Sequence, residues 1–207
     1  MRLSLTSTGG KVLASTVVLG AAATIAGLGT FGSFTSTTSA NQAVASGTVA
    51  IALGSAGTSG NRLSVAASGL VPGDTVQRTI TLSNASGNQD LAGVTLTTTA
   101  TPSSLLDTDA TNGLQMVIDK CSQAWSETGT SPAYVYTCGG TTTSVLASTA
   151  VVGSNRTLSN LASLTNGSSD NLRVTLTLPS TADNTFQGKS STLSFSFTGT
   201  QRNAAAH

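Results

Sequence analysis

The chain has 207 residues with only 9 Lys and Arg, 8 Asp and Glu and a single His, a formal net charge of +1. So little charge beside 38% hydrophobic residues excludes a disordered, highly charged chain. Its basic residues past position 11 (Arg62, Arg78, Lys120, Arg156, Arg173, Lys189 and Arg202) are scattered singly. Nucleic-acid backbones are bound by clustered Lys and Arg, so no nucleic-acid partner is expected. Abundant Thr and Val suit the pleated, half-buried surface of a sheet, and Gly and Asn clusters supply turns.

In chain order, the first element is a leader. Arg2 and Lys11 form a basic flank and "VLASTVVLGAAATIAGLG" (Val12 to Gly29) an apolar centre, with small residues after it. That order is the pattern of an export signal. Val12 to Phe34 approaches membrane-spanning length, but Ser, Thr and Gly dilute it and no basic stop-transfer cluster follows. A cleavable leader is therefore expected, with a signal peptidase as partner during export and membrane contact only through the uncleaved leader. Small-residue rules allow a cut between Ser33 and Phe34 or between Ala40 and Asn41. The expected product is secreted. Removing the leader takes Arg2 and Lys11 away and leaves 7 basic against 8 acidic residues.

Strand signals then recur between turns, as in β-sandwiches. "GTVAIAL" places Val49, Ile51 and Leu53 on one face. Pro72-Gly73-Asp74 predicts a turn, after which Val76, Ile80 and Leu82 alternate with Thr75, Gln77, Thr79 and Thr81. Arg78 interrupts that apolar row, and we expect it near a strand end with its head in water. "LAGVTLTTT" offers Leu91, Val94 and Leu96, and "LQMVIDKC" offers Leu114, Met116 and Ile118. "YVYTC" follows, then "NLRVTLTLP" with Leu172, Val174, Leu176 and Leu178. "STLSFSFTG" closes the series with Leu193, Phe195 and Phe197. Period-two alternation of this kind marks sheets with one buried and one wet face. Helix signals are confined to a turn near Ser103 to Thr108 and a short piece in "SNLASL" (Ser159 to Leu164). The predicted fold is all-β, a two-sheet jelly-roll-like sandwich of seven or eight main strands. The predicted divisions are a leader at 1–33, an N-terminal segment at 34–46, the domain at 47–202 and a tail at 203–207.

Chemistry-bearing motifs are scarce. The only His is His207, the last residue, so no His-based triad can be built within the predicted domain. There is no HExxH, and Glu127 is the sole Glu. No catalytic residue, cofactor or enzymatic activity is expected. Asp107, Asp109 and Asn112 are the one candidate set for a calcium ion, but position twelve of an EF-hand loop falls on Ile118. An Asx-rich turn explains the same residues. "LPSTA" (Leu178 to Ala182) has Ala where a sortase signal has Gly and no apolar tail after it, so a strand end at Pro179 is expected. Asn84, Asn155 and Asn166 match the glycosylation pattern, as chance allows in a chain so rich in Ser and Thr. Cys121 and Cys138 are an even pair in an exported chain, which predicts a disulfide. Free thiols for metal or catalysis lack a CxxC or a neighbouring His.

Three stretches in order carry a family resemblance. They are the apolar leader running into "GTFGSFTST" and "ASGTVAIAL", then "LVPGDTVQRTITLSNASGNQDLAGVTL", then "LRVTLTLPSTADNTFQGKSSTLSFSFTGTQR". Together they resemble the TasA/camelysin family of secreted biofilm-matrix and surface proteins. The segment bracketed by Cys121 and Cys138 is an elaboration that the compact pattern does not demand. The resemblance implies an exported jelly-roll subunit, cut before Phe34, that joins copies of itself into extracellular fibres. It also implies that the new N-terminus is donated as a strand, which makes Phe34, Thr35, Thr37, Ser39 and Val44 the candidate assembly residues. Some relatives are named as metallo-endopeptidases, and the lack of His ligands argues against carrying that activity over. A monomeric adhesin, using Trp125, Tyr134 and Tyr136 as an aromatic platform, is the alternative.

Overall fold

The computed structural model describes residues 35–39, 42–43, 51–63 and 69–202. The expected leader, both candidate cut sites, Phe34, Val44 and the tail 203–207 lie outside the described residues. Among the described residues twelve strands follow in order: β1 (Thr35–Ser39), β2 (Gln42–Ala43), β3 (Ala52–Leu53), β4 (Thr75–Ser83), β5 (Leu91–Ala100) and β6 (Gln115–Cys121). Then come β7 (Trp125–Thr128), β8 (Val135–Cys138), β9 (Thr142–Ala150), β10 (Gly153–Leu158), β11 (Ser169–Thr177) and β12 (Leu193–Gln201). One helical turn, α1 (Leu105–Thr108), lies between β5 and β6.

Two five-stranded antiparallel sheets form the body, in the orders β10-β5-β12-β1-β2 and β3-β4-β11-β6-β9. From β4 to β6, and again from β9 to β12, each connection carries the chain from one sheet to the other. Without the short additions β2 and β3, the eight main strands are ordered as a jelly roll, β10-β5-β12-β1 facing β4-β11-β6-β9. The sequence pattern explains the packing. Val94, Leu96, Phe195 and Phe197 from one sheet join Ile80, Leu82, Met116, Ile118, Leu172 and Val174 from the other in one buried cluster. The residues that alternate with them are mostly Thr and Ser, with Gln115, Val117, Asp119, Asn171 and Arg173 among them, which leaves one mainly apolar face per sheet.

Several elements were anticipated by local signals. The Pro72-Gly73-Asp74 turn leads straight into β4, with Gly73 at φ 96. Ser104 caps α1 in a reciprocal capping box with Asp107. Gly113 follows because a Cβ there would lie 2.3 Å from the Asp109 carbonyl oxygen. "LPSTA" is the turn directly after β11, with Leu178 and Ala182 buried in the core.

Other elements depart from expectation. "SNLASL" forms bends and turns rather than a helical piece. β9 and β10 were not anticipated, because bulges break their alternation: the β6·β9 register shifts on both sides of Ile118, and the β10·β5 register shifts between Gly153 and Arg156. Val145 is buried while Leu146, its neighbour, is half-buried. Arg78 does not reach into water; it is 4% exposed, because the Cys121–Cys138 segment folds over that end of β4.

Candidate functional site

Two places gather the residues singled out from the sequence. The first is the segment from Cys121 to Cys138. The two cysteines are bonded, with Cα atoms 5.6 Å apart. The bridge ties the root of the β7–β8 hairpin, in which Trp125 faces Cys138 and Glu127 faces Tyr136. The hairpin lies over the outward face of the β4-β11-β6 sheet, against the residues that alternate with the core. Trp125 Nε1 donates to the Asn171 carbonyl at 2.9 Å, and the Tyr136 backbone N–H donates to Gln77 Oε1 at 3.0 Å. The Arg173 guanidinium stacks 4.4 Å from the Trp125 ring centroid, donates to the Tyr136 carbonyl and pairs with Asp119 at 3.1 Å. Cys121, Trp125 and Tyr136 form a buried cluster of their own, with Tyr134 and Cys138 packed against it. These aromatics are therefore plugs under the hairpin rather than an exposed platform; Trp125 is 8% and Tyr136 3% exposed.

Across the hairpin runs a clamp that no sequence motif announces. Arg62 donates from Nε and Nη2 to the two oxygens of Glu127, at 2.9 and 2.6 Å. The Tyr136 hydroxyl donates to Glu127 Oε2 at 2.8 Å, and the Arg62 guanidinium lies 4.7 Å from the Tyr134 ring centroid. Bidentate pairing of this kind gives geometric specificity as well as energy. The Arg62 hydrogen bonds hold the Glu127 carboxyl below its ordinary range, against the opposing effect of burial. Burial and the Glu127 carboxylate push the Tyr136 phenol up, although a hydrogen bond with Thr79 opposes them. Burial lowers the Arg78 guanidinium, which sits 5.9 Å from the Tyr134 ring centroid and donates to the Gln77 carbonyl.

A pH prediction follows from Glu127. Its folded pKa is depressed, so its contribution is complete above the unfolded value of about 4.3 and is lost as pH falls through the folded value. Glu127→Gln should be less stable than the parent near neutrality, and the difference should shrink towards zero in strong acid. Urea unfolding at a series of pH values measures this, and a constant gap across the series would contradict it.

Each of the calcium candidates is engaged in hydrogen bonds within the chain. Asp107 is buried and belongs to the α1 cap, accepting from the hydroxyls of Ser103 and Ser191 and the N–H of Ser104. Burial would raise its carboxyl, yet these hydrogen bonds bring it below the ordinary value. Asp109 Oδ1 accepts from the N–H groups of Thr111 and Asn112, and Asn112 Oδ1 accepts from the Thr181 hydroxyl. Asp109 thus makes the Asx turn expected for this stretch, while Asp107 serves the α1 cap and Asn112 holds Thr181.

The second place is the side of β12 that faces away from β5. On one flank β12 pairs with β5 from Leu193 to Gln201. On the other it pairs antiparallel with β1, setting Thr35 opposite Thr200, Thr37 opposite Thr198 and Ser39 opposite Ser196. Three of the five candidate assembly residues, Thr35, Thr37 and Ser39, thus occupy one strand, and its partner is the last strand of the same chain. β2 adds to β1 through Thr38 opposite Ala43.

A jelly roll in which β1 pairs with β12 and a disulfide-tied hairpin packs on one sheet defines an all-β protein. The chain belongs to the camelysin metallo-endopeptidase family, whose model matches residues 9–206. No curated protein matches it. The metal that the family's description implies finds no fitting donor set, since among the described residues no three His, Cys, Asp or Glu side chains come together.

Proposed function

We propose that the chain is a secreted structural subunit that assembles with copies of itself into extracellular fibres or a biofilm matrix. The link between subunits is the N-terminal strand, donated from one copy to the next. The observation that carries this reading is the pairing of the segment 35–39 with the flank of β12 that β5 does not cover. A strand edge presents unpaired N–H and C=O groups, and an added strand satisfies them through the backbone with little demand on side chains. The low charge and the Ser- and Thr-rich sequence of the segment suit that kind of pairing.

Electron microscopy of the secreted form, with and without residues 34–46, tests the proposal. Fibres are expected from the intact protein and not from the truncated one, and a synthetic 34–46 peptide should bind the truncated protein. Fibres that persist after truncation would overturn strand donation. The family's description favours a second reading, a metallo-endopeptidase. Chelator-sensitive cleavage of a protein substrate by the purified chain would establish it in place of the structural role.

A further inference from the structure

We infer that Asn166 is a site of spontaneous deamidation, which turns its side-chain amide into a carboxylate beside Asp90 as the protein ages. The inference holds whether the chain is a matrix subunit or an enzyme. The sequence contains two Asn-Gly steps, Asn112-Gly113 and Asn166-Gly167. A glycine after asparagine leaves its backbone nitrogen open to close approach, because no Cβ screens it. That nitrogen can attack the asparagine Cγ, an intramolecular step favoured by proximity. The N–Cγ bond forms, the Cγ–Nδ2 bond breaks, and ammonia leaves with the proton that the glycine nitrogen gives up. Water then opens the succinimide ring at either carbonyl, giving aspartate or isoaspartate.

The fold treats the two steps differently. Gly113 is buried, and its N–H donates to the Asp109 carbonyl at 3.0 Å. Asn112 is held at both ends, its N–H on Asp109 Oδ1 and its Oδ1 on the Thr181 hydroxyl. Ring closure there requires the turn to open first. Asn166 and Gly167 are exposed, in a turn closed by the Ser168 N–H on the Thr165 carbonyl at 3.3 Å. Gly167 has φ 73, and outside its chain neighbours nothing lies within 3.8 Å of where a Cβ would be; the nearest atom is Ser86 Cβ at 3.9 Å. Its N–H donates to no partner among the described residues. The Asn166 N–H and Nδ2 donate to Asp90 Oδ1, at 2.9 and 3.2 Å, and both bonds are exposed to solvent. They hold the Asp90 carboxyl below its ordinary range. Deamidation puts an oxygen where the Nδ2 donor stood and sets one carboxylate against another, which is repulsive. The turn should then loosen from Asp90, and with it Leu164, whose carbonyl accepts from the Leu91 N–H at 2.8 Å at the start of β5.

Peptide mapping by mass spectrometry tests the site, on the folded chain stored near neutral pH at physiological temperature. Asn166 should convert to a mixture of aspartate and isoaspartate at least about tenfold faster than Asn112, the factor implied by the hydrogen bonds that must break around Gly113. In urea-unfolded protein the two steps should convert at similar rates. Equal rates in the folded chain, faster conversion at Asn112, or an Asn166 that reacts only when unfolded would each overturn the inference. The variant Asn166→Asp reproduces one product without the wait. Hydrogen exchange of its Leu91 amide should be severalfold faster than in the parent, and adding Asp90→Asn should remove most of that gain. Unchanged exchange would overturn the loosening and leave the site itself to the mass measurement.

Discussion

Leu172→Ala is expected to lower the unfolding free energy by about 2–5 kcal/mol, the range for emptying a buried Leu site. Leu172 is fully buried at the middle of β11, the central strand of its sheet, with Ile80 opposite on β4 and Lys120 opposite on β6. Strands flanked on both sides by paired neighbours have little freedom to collapse into the void, which places the cost towards the upper end. The control is Val135→Ala on the hairpin, where the side chain is 55% exposed and the change should stay within about 0.5 kcal/mol. Urea unfolding of the two variants beside the parent measures both. Equal midpoints for Leu172→Ala and the parent would mean that the two sheets do not share the core described above.

The second large effect concerns the bridge. Replacing Cys121 and Cys138 together by Ala should cost about 3 kcal/mol, the chain-entropy value for a loop near this length. The effect should also have a local signature. The hairpin remains attached through Trp125, Tyr136 and the Arg62–Glu127 pair, so losing the bridge should loosen it before the sandwich itself. Trp125 is the only tryptophan, which makes its fluorescence a reporter of the hairpin. The double variant should show Trp emission shifting at lower denaturant than the far-ultraviolet signal of the sheets. Coincident transitions would show instead that hairpin and sandwich unfold as one unit. Adding Arg62→Ala to the bridgeless chain should widen the separation, because the clamp and the bridge hold the same hairpin.

Much of the sandwich was legible because its signals are local. In β4, β5, β6, β11 and β12 apolar residues recur at every second position over the stretch that packs inward, and Ile80, Leu82, Val94, Leu96, Met116, Ile118, Leu172, Val174, Phe195 and Phe197 all reach the core. The turn before β4 and the single helical turn of α1 were readable for the same reason, since each is specified by a few adjacent residues. β9 and β10 were hidden by bulges, which add a residue to one strand and shift the face to which later residues point. Arg78 was misjudged because its surroundings come from a hairpin more than forty residues away. The Arg62–Glu127 clamp spans 65 positions, and a lone Glu beside a tyrosine-rich loop gives no hint of which cation will reach it.

The amino-acid sequence by itself determined the all-β class, the faces of the main strands, the cysteine pairing and the scarcity of catalytic side chains. It did so because alternation and residue inventory are properties of the chain read one stretch at a time. Only the tertiary structure decided where residues 35–39 belong. A short Ser- and Thr-rich stretch has backbone donors and acceptors but no strong apolar face, so its own residues cannot specify a partner. The partner is set by which edge the rest of the sandwich leaves open, and that edge is β12.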